Sequence, residues 1–134
     1  MNTLAARIAT LEEEFAPFDD PLDRYEVLID KGRDLPPLPE GEKQEVFRVK
    51  GCQSQVWIIP RLEDDVLHFA GDSDALITRG LVALLHQALS GLPVEEVREA
   101  DLGFMERLGL YGHLSPTRKN GLSAMLDRIR AYSA

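Results

Sequence analysis

One cysteine in 134 residues, Cys52, decides what cannot hold this chain together. A lone thiol forms no internal disulfide, and it falls short of the several cysteines that structural zinc sites and iron-sulfur clusters ordinarily use. The fold therefore has to stand on its apolar core. A single domain spanning residues 1–134 is long enough for that, since it buries roughly two-thirds of the surface its unfolded chain exposes. No internal repeat or linker composition divides it.

Apolar periodicity sets out the elements. Leu4, Ile8, Leu11 and Phe15 recur at helical spacing and predict an amphipathic first helix. Asp20-Pro21 has the form of an N-cap followed by proline in the first turn. Leu22, Tyr25, Leu28 and Ile29 then supply one apolar face up to Gly32, where the second helix is expected to stop. Leu35-Pro36-Pro37-Leu38-Pro39 cannot continue a helix and reads as an extended spacer. Three β-rich runs follow, at residues 46–49, 55–59 and 66–70. The second is apolar on both faces, as a covered central strand would be; Pro60 ends it, and Glu63-Asp64-Asp65 makes the hairpin turn.

Residues 75–89, with Leu76, Ile77, Leu81, Leu84, Leu85 and Leu89, form the most apolar helix and the expected packing partner of the sheet. Asp72, Ser73 and Asp74 are its expected N-terminal acceptors, and Ser90-Gly91 its stop. Shorter helices are expected from Pro93 and after Asp101. Ser115-Pro116 caps a last helix whose inward stripe is Leu122, Met125, Leu126, Ile129 and Tyr132. The sum is an α+β fold, a small antiparallel sheet of three strands packed against helices.

Charge narrows the partners. Fifteen Lys and Arg against 23 Asp and Glu leave a formal charge of -8, which argues against a nucleic-acid binder and suits a protein partner. The longest apolar runs, 56–60 and 81–85, fall far short of the ~20 residues a membrane helix needs. Arg7 and Glu12-Glu13-Glu14 interrupt the apolar stretch a signal peptide requires, and an unpaired thiol suits a reducing cytoplasm, the expected location.

Cys52 lies in Gly51-Cys52-Gln53-Ser54-Gln55-Val56-Trp57. A glycine hinge before it and three polar residues after it place the thiol at a loop tip, where rigid scaffolds carry function. Free cysteine also packs as a small buried hydrophobe, so the residues alone leave a working thiol and an inert one both open. Arg48, Lys50 and Arg61 are the cations expected to lower its pKa. Gln53, Ser54 and Gln55 read as loop-closing groups, as partner contacts, or as ordinary solvated residues. Arg118 stands in the first turn of the last helix, an unfavourable place for a cation on dipole grounds, which points to a task elsewhere.

Other constellations reduce to structure. Asp72-Ser73-Asp74 opens like a calcium loop, yet Ile77 stands where glycine should and Ala83 where the bidentate glutamate should, so no metal is expected. A cysteine hydrolase needs a histidine base beside the thiol. His68 falls in a predicted strand and His86 in the most apolar helix, leaving His113 as the one to watch.

Three blocks, in order, carry a family resemblance: Gly51 to Trp57; Gly71-Asp72-Ser73-Asp74-Ala75 with Gly80-Leu81; and Leu114-Ser115-Pro116-Thr117-Arg118 with Asn120-Gly121-Leu122. In these the chain resembles the SufE-type sulfur acceptors, whose fold is related to the IscU-type scaffolds. The resemblance implies that Cys52 takes sulfane sulfur as a persulfide from a cysteine desulfurase, SufS-like or CsdA-like. That transfer stimulates the desulfurase, and the sulfur passes to a downstream iron-sulfur scaffold or other acceptor. The pyridoxal phosphate (PLP) belongs to the partner; this chain is expected to need no cofactor and not to be an enzyme itself. Gly51, Gln53, Ser54, Gln55, Asp74 and Arg118 are the expected supports of the loop and the active surface. Cys52 is expected to be part-buried in the free protein, in a pocket made by Val56, Trp57 and Ile58. The rival readings are a non-covalent interaction module with an incidental thiol, and a cysteine-dependent hydrolase.

Overall fold

A computed structural model describes residues 3–134. Helix α1 (Leu4–Phe15) begins where the Thr3 hydroxyl accepts from the Ala6 N–H at 3.1 Å. Helix α2 (Pro21–Asp34) begins where the Asp20 carboxylate accepts from the Leu22 N–H at 2.9 Å. The proline-rich connector then leads through two short 3-10 turns into a hairpin of β1 (Val56–Glu63) and β2 (Val66–Ser73). Helix α3 (Leu76–Leu89), strand β3 (Leu92–Pro93), helices α4 (Val94–Glu99) and α5 (Gly103–Arg107), and the long α6 (Pro116–Tyr132) complete the order. The Ser115 hydroxyl caps α6 by accepting from the Arg118 N–H at 3.2 Å.

The architecture is α+β as expected, with three antiparallel strands in the order β1-β2-β3. Register runs from Val56↔Ser73 to Glu63↔Val66. That leaves a two-residue turn in which Asp64 and Asp65 both have positive φ, 52° and 61°. Such a primed turn matches the strand twist, and aspartate tolerates the left-handed backbone better than most residues.

Several boundaries differ from the sequence reading, each for a physical reason. Residues 46–49 are no strand: Val46 lies in a 3-10 turn, and only Arg48 makes a bridge, to Trp57. The Arg128 guanidinium on α6 takes the carbonyls of Val46 at 3.3 Å and Arg48 at 2.9 Å, groups that a strand would have offered to a ladder. Leu92–Pro93 supplies the third strand instead, and the short helix expected from Pro93 follows directly as α4, with Pro93 at its N-cap position. The apolar β1 is an edge and not the centre, and it continues through Pro60, which an edge tolerates because no N–H is missed. Leu22 is exposed rather than part of the apolar face of α2.

Gly32 does not stop α2. It is buried inside the helix, where an added Cβ would lie 2.8 Å from the Gly80 nitrogen of α3. A Cβ on Gly80 would lie 2.5 Å from the Leu28 carbonyl oxygen, so the two glycines let α2 and α3 approach backbone to backbone. Helix α3 is the hub of the core. Leu81, Leu84, Leu85 and Leu89 are fully buried where α3 packs against α1, α2, β2 and α6.

The acceptors before α3 do other work than capping it. The Ser73 hydroxyl accepts from the Ala75 N–H at 3.3 Å, but Asp72 is buried and turned away. Its carboxylate accepts from the N–H of Leu38 at 3.2 Å and of Ser73 at 2.8 Å. Arg79 stands 3.4 Å from it and Lys43 3.8 Å. This buried charge, paired and hydrogen-bonded as burial demands, ties the proline connector down over the outer face of the sheet. Trp57, opposite Asp72 in register, is buried and covered there by the Lys43 ammonium at 5.3 Å from the ring centre.

Candidate functional site

The loop 50–55 joins the connector to β1. Its entry is pinned by the Val49 N–H donating to the Val56 carbonyl at 2.8 Å. Gly51 then takes φ of +94°, a left-handed turn that a side chain would strain, with Ala124 of α6 only 3.3 Å from where its Cβ would be. The turn delivers Cys52 onto α6 at Gly121. Sγ lies 3.6 Å from the Gly121 carbonyl oxygen, a weak S–H contact, and 3.4 Å from the place where a Cβ on Gly121 would stand. A glycine within a helix weakens it, and here it makes the seat of the thiol.

Cys52 is half-buried and opens on a cavity of about 250 Å³ between α3 and α6. Gln53 and Ser54 line it from the loop, Ala75, Thr78 and Leu81 from the α3 side, and Ser115, Thr117, Arg118, Gly121 and Met125 from the α6 side. Leu81 and Met125 are its buried apolar residues; hydroxyls and the Arg118 side chain make the rest polar. The Thr78 hydroxyl reaches the Ser54 oxygen at 3.4 Å. Asp74 holds the exit of the loop: Oδ1 accepts from the Gln55 N–H at 2.9 Å.

The predicted site residues therefore converge on one place: Cys52, Gln53, Ser54 and Arg118 line the cavity, Gly51 is the hinge before the thiol, and Gln55 and Asp74 stand at the base of the loop. The shelter is not the predicted one. Val56, Trp57 and Ile58 are buried in and against the sheet, and the walls around the thiol come from α3 and α6. Ser115, Thr117 and Gly121 belong to the third motif block and Met125 to the inward stripe of the last helix, but nothing in the sequence set them beside the thiol, and Thr78 was not singled out at all. The signal for Gly121 was its place in the Asn120-Gly121-Leu122 block, a glycine inside a helix three residues after Arg118.

The thiol's electrostatics also run opposite to expectation. Burial pushes the Cys52 pKa up, because an ion loses hydration there. The cations invoked to lower it are engaged elsewhere: Arg48 stands 3.7 Å from Glu45, and Arg61 pairs with Glu63. Lys50 is solvent-exposed.

No histidine lines this cavity. His68 and His86 line a different one, beside Arg7, and burial followed by the Arg7 charge lowers the His86 pKa. His86 packs edge-on to Phe69, with 5.5 Å between ring centres. His113 is exposed in a 3-10 turn, its carbonyl accepting from the Tyr25 hydroxyl. The histidine base of a hydrolase is thus not at the thiol. Among the described residues no group of three or more His, Cys, Asp or Glu side chains is arranged to hold a metal, and no helix is long and apolar enough to cross a membrane.

The fold and site define a small α+β domain built around one seated thiol at the mouth of a polar cavity. The chain belongs to the SufE family: the model of that family, described as the Fe-S metabolism associated domain, matches residues 9–133. It is 40% identical over 124 residues to an uncharacterised SufE-like protein of Rhizobium meliloti, covering 89% of both chains. It is 37% identical over 124 residues to the sulfur acceptor protein CsdE of Escherichia coli, covering 91% of this chain and 84% of that one. The solution structure of a hypothetical protein from Thermus thermophilus shares the fold, with a TM-score of 0.77 at 28% identity over 95% of this chain and 93% of the other.

Proposed function

We propose that Cys52 accepts one sulfane sulfur atom from the cysteine persulfide of a PLP-dependent cysteine desulfurase and passes it on to iron-sulfur cluster assembly. The observation that carries this reading is that Cys52 and Arg118, distant in sequence, line one small cavity beneath a glycine-hinged loop. Membership of the Fe-S metabolism associated family and the likeness to the sulfur acceptor CsdE support it.

The chemistry needs only what the site offers. The Cys52 thiolate attacks the outer sulfur of the donor persulfide. A bond forms between Sγ and that sulfur, the donor's sulfur-sulfur bond breaks, and the donor cysteine leaves as a thiolate. One sulfur atom moves and no external oxidant or reductant is used. Burial keeps the resting thiol protonated and slow to react, which protects it from oxidation between encounters. Swinging the loop out about Gly51 removes that burial at the moment the partner presents its persulfide. The cavity has room for the added sulfur, and the Arg118 cation at its wall offsets the charge of the persulfide anion. Carbon-sulfur cleavage stays with the partner and its PLP, so this chain acts as acceptor and activator in a reducing compartment, the cytoplasm.

Incubation with a cognate desulfurase and free cysteine should give a species heavier by one sulfur atom, located at Cys52 by mass spectrometry and removed by reductant. The Cys52→Ser variant should fold, show no adduct and fail to stimulate sulfide release, because a hydroxyl stays protonated and cannot hold sulfane sulfur. Equal stimulation by the serine variant would overturn the reading in favour of a non-covalent interaction module.

A further inference from the structure

Among the described residues four large apolar side chains stand mostly in water: Leu22 at 71%, Val46 at 66%, Leu62 at 59% and Leu76 at 53%. Two of these, Val46 and Leu76, lie on segments that border the Cys52 cavity. Segment 46–52 runs along α6, with Arg128 on the carbonyls of Val46 and Arg48, Ala124 beside Gly51, and Gly121 beneath Cys52. Residues 121 and 128 are two helical turns apart, and the segment from Val46 to Cys52 follows α6 over that stretch. Leu76 opens α3 on the other side, next to Ala75 in the cavity wall. Exposed Lys50 lies between Val46 and the thiol in sequence, and exposed Arg118 lines the cavity. Among the described residues neither cation has a carboxylate within ion-pair distance. The nearby carboxylates are engaged, Glu45 with Arg48 and Asp74 with the Gln55 N–H.

A chain of formal charge -8 thus carries, on the segments that border its one thiol, two unneutralised cations and two exposed apolar side chains. Apolar anchors of this kind supply affinity when covered, and charges at the edge select which face meets the partner. We infer that Val46, Lys50, Leu76 and Arg118 form the docking footprint for the sulfur donor, a protein whose own persulfide is surrounded by carboxylates and apolar depressions. The inference rests on the acceptor reading and adds to it the chemical character of the partner's face.

The test titrates the chain against its cognate PLP-loaded cysteine desulfurase and reads sulfide release. Val46→Asp, Leu76→Asp and Lys50→Glu should each raise the half-saturating concentration about tenfold or more, and Lys50→Arg should not. Leu22→Asp and Leu62→Asp, exposed apolar positions outside the footprint, should stay within about twofold of wild type. Inorganic polysulfide, which gives up one sulfur atom to a thiolate and shortens by one, should load Cys52 equally in every variant and so report an intact fold and thiol. Unchanged half-saturation in the three footprint variants, or an equal rise in the two controls, overturns the footprint. Absence of stimulation and of sulfur uptake by the wild-type chain overturns the acceptor reading beneath it.

Discussion

Asp74 grips Gln55 by both of its backbone polar groups: the carboxylate accepts from the Gln55 N–H at 2.9 Å, and the Asp74 N–H donates to the Gln55 carbonyl at 3.3 Å. This clamp fixes one end of the cysteine loop to the junction of β2 and α3. The bond from Val49 to Val56 fixes the other end. Between them the loop is held by two long contacts, Cys52 to Gly121 at 3.6 Å and Thr78 to Ser54 at 3.4 Å. Such a segment opens locally at much lower free energy than the core unfolds.

Removing the side-chain half of the clamp should therefore expose the thiol. An exposed charge-assisted hydrogen bond of this kind is worth about 1 kcal/mol, so Asp74→Ala should speed iodoacetamide alkylation of Cys52 about fivefold in the isolated protein. The thermal midpoint should fall by only a few degrees, the same loss read against the unfolded chain. An alkylation rate equal to wild type would place the opening barrier elsewhere in the loop.

The pH dependence of the same reaction follows from burial. The folded Cys52 pKa lies above its unfolded value, so the fold favours the protonated thiol. The stability this contributes is fully present below the unfolded value and is lost as pH rises through the folded one. Alkylation of the native protein should then rise at higher pH than alkylation of the same chain in urea. Saturating desulfurase should bring the native curve back toward the unfolded one. In denaturant titrations the wild type should lose stability toward alkaline pH relative to Cys52→Ser. Coincident native and urea curves would contradict a sheltered resting thiol.

Gly80 tests the packing behind the site. Replacing a helical glycine by alanine gains up to about 1 kcal/mol in an open position. Here the new Cβ would lie 2.5 Å from the Leu28 carbonyl oxygen, and backbone cannot yield as a flexible side chain does. Overpacking of this kind costs about 1–3 kcal/mol, so the clash should win and Gly80→Ala should lower the thermal midpoint by several degrees. Gly41, with open space around its Cβ position, should accept alanine with little change.

Local chemistry carried much of this protein. The caps at Asp20 and Ser115, the turn at Asp64-Asp65, the buried face of α3 and the loop position of Cys52 follow from neighbours in sequence, and a reader of the chain alone can place them. The three motif blocks likewise marked Cys52, Asp74 and Arg118 before their proximity was known. What failed had a common cause, which is competition from partners far along the chain. Residues 46–49 have strand composition, but Arg128 takes their carbonyls. Gly32 looks like a helix stop until Gly80 arrives to use its missing side chain. Asp72 looks like a cap, yet the connector and Arg79 claim it. The cations near Cys52 in sequence do not set its pKa, since hydration depends on what covers the sulfur. Only the docking of α3 and α6 on either side of the loop decided that, because burial belongs to the packed chain and has no counterpart in any local run of residues.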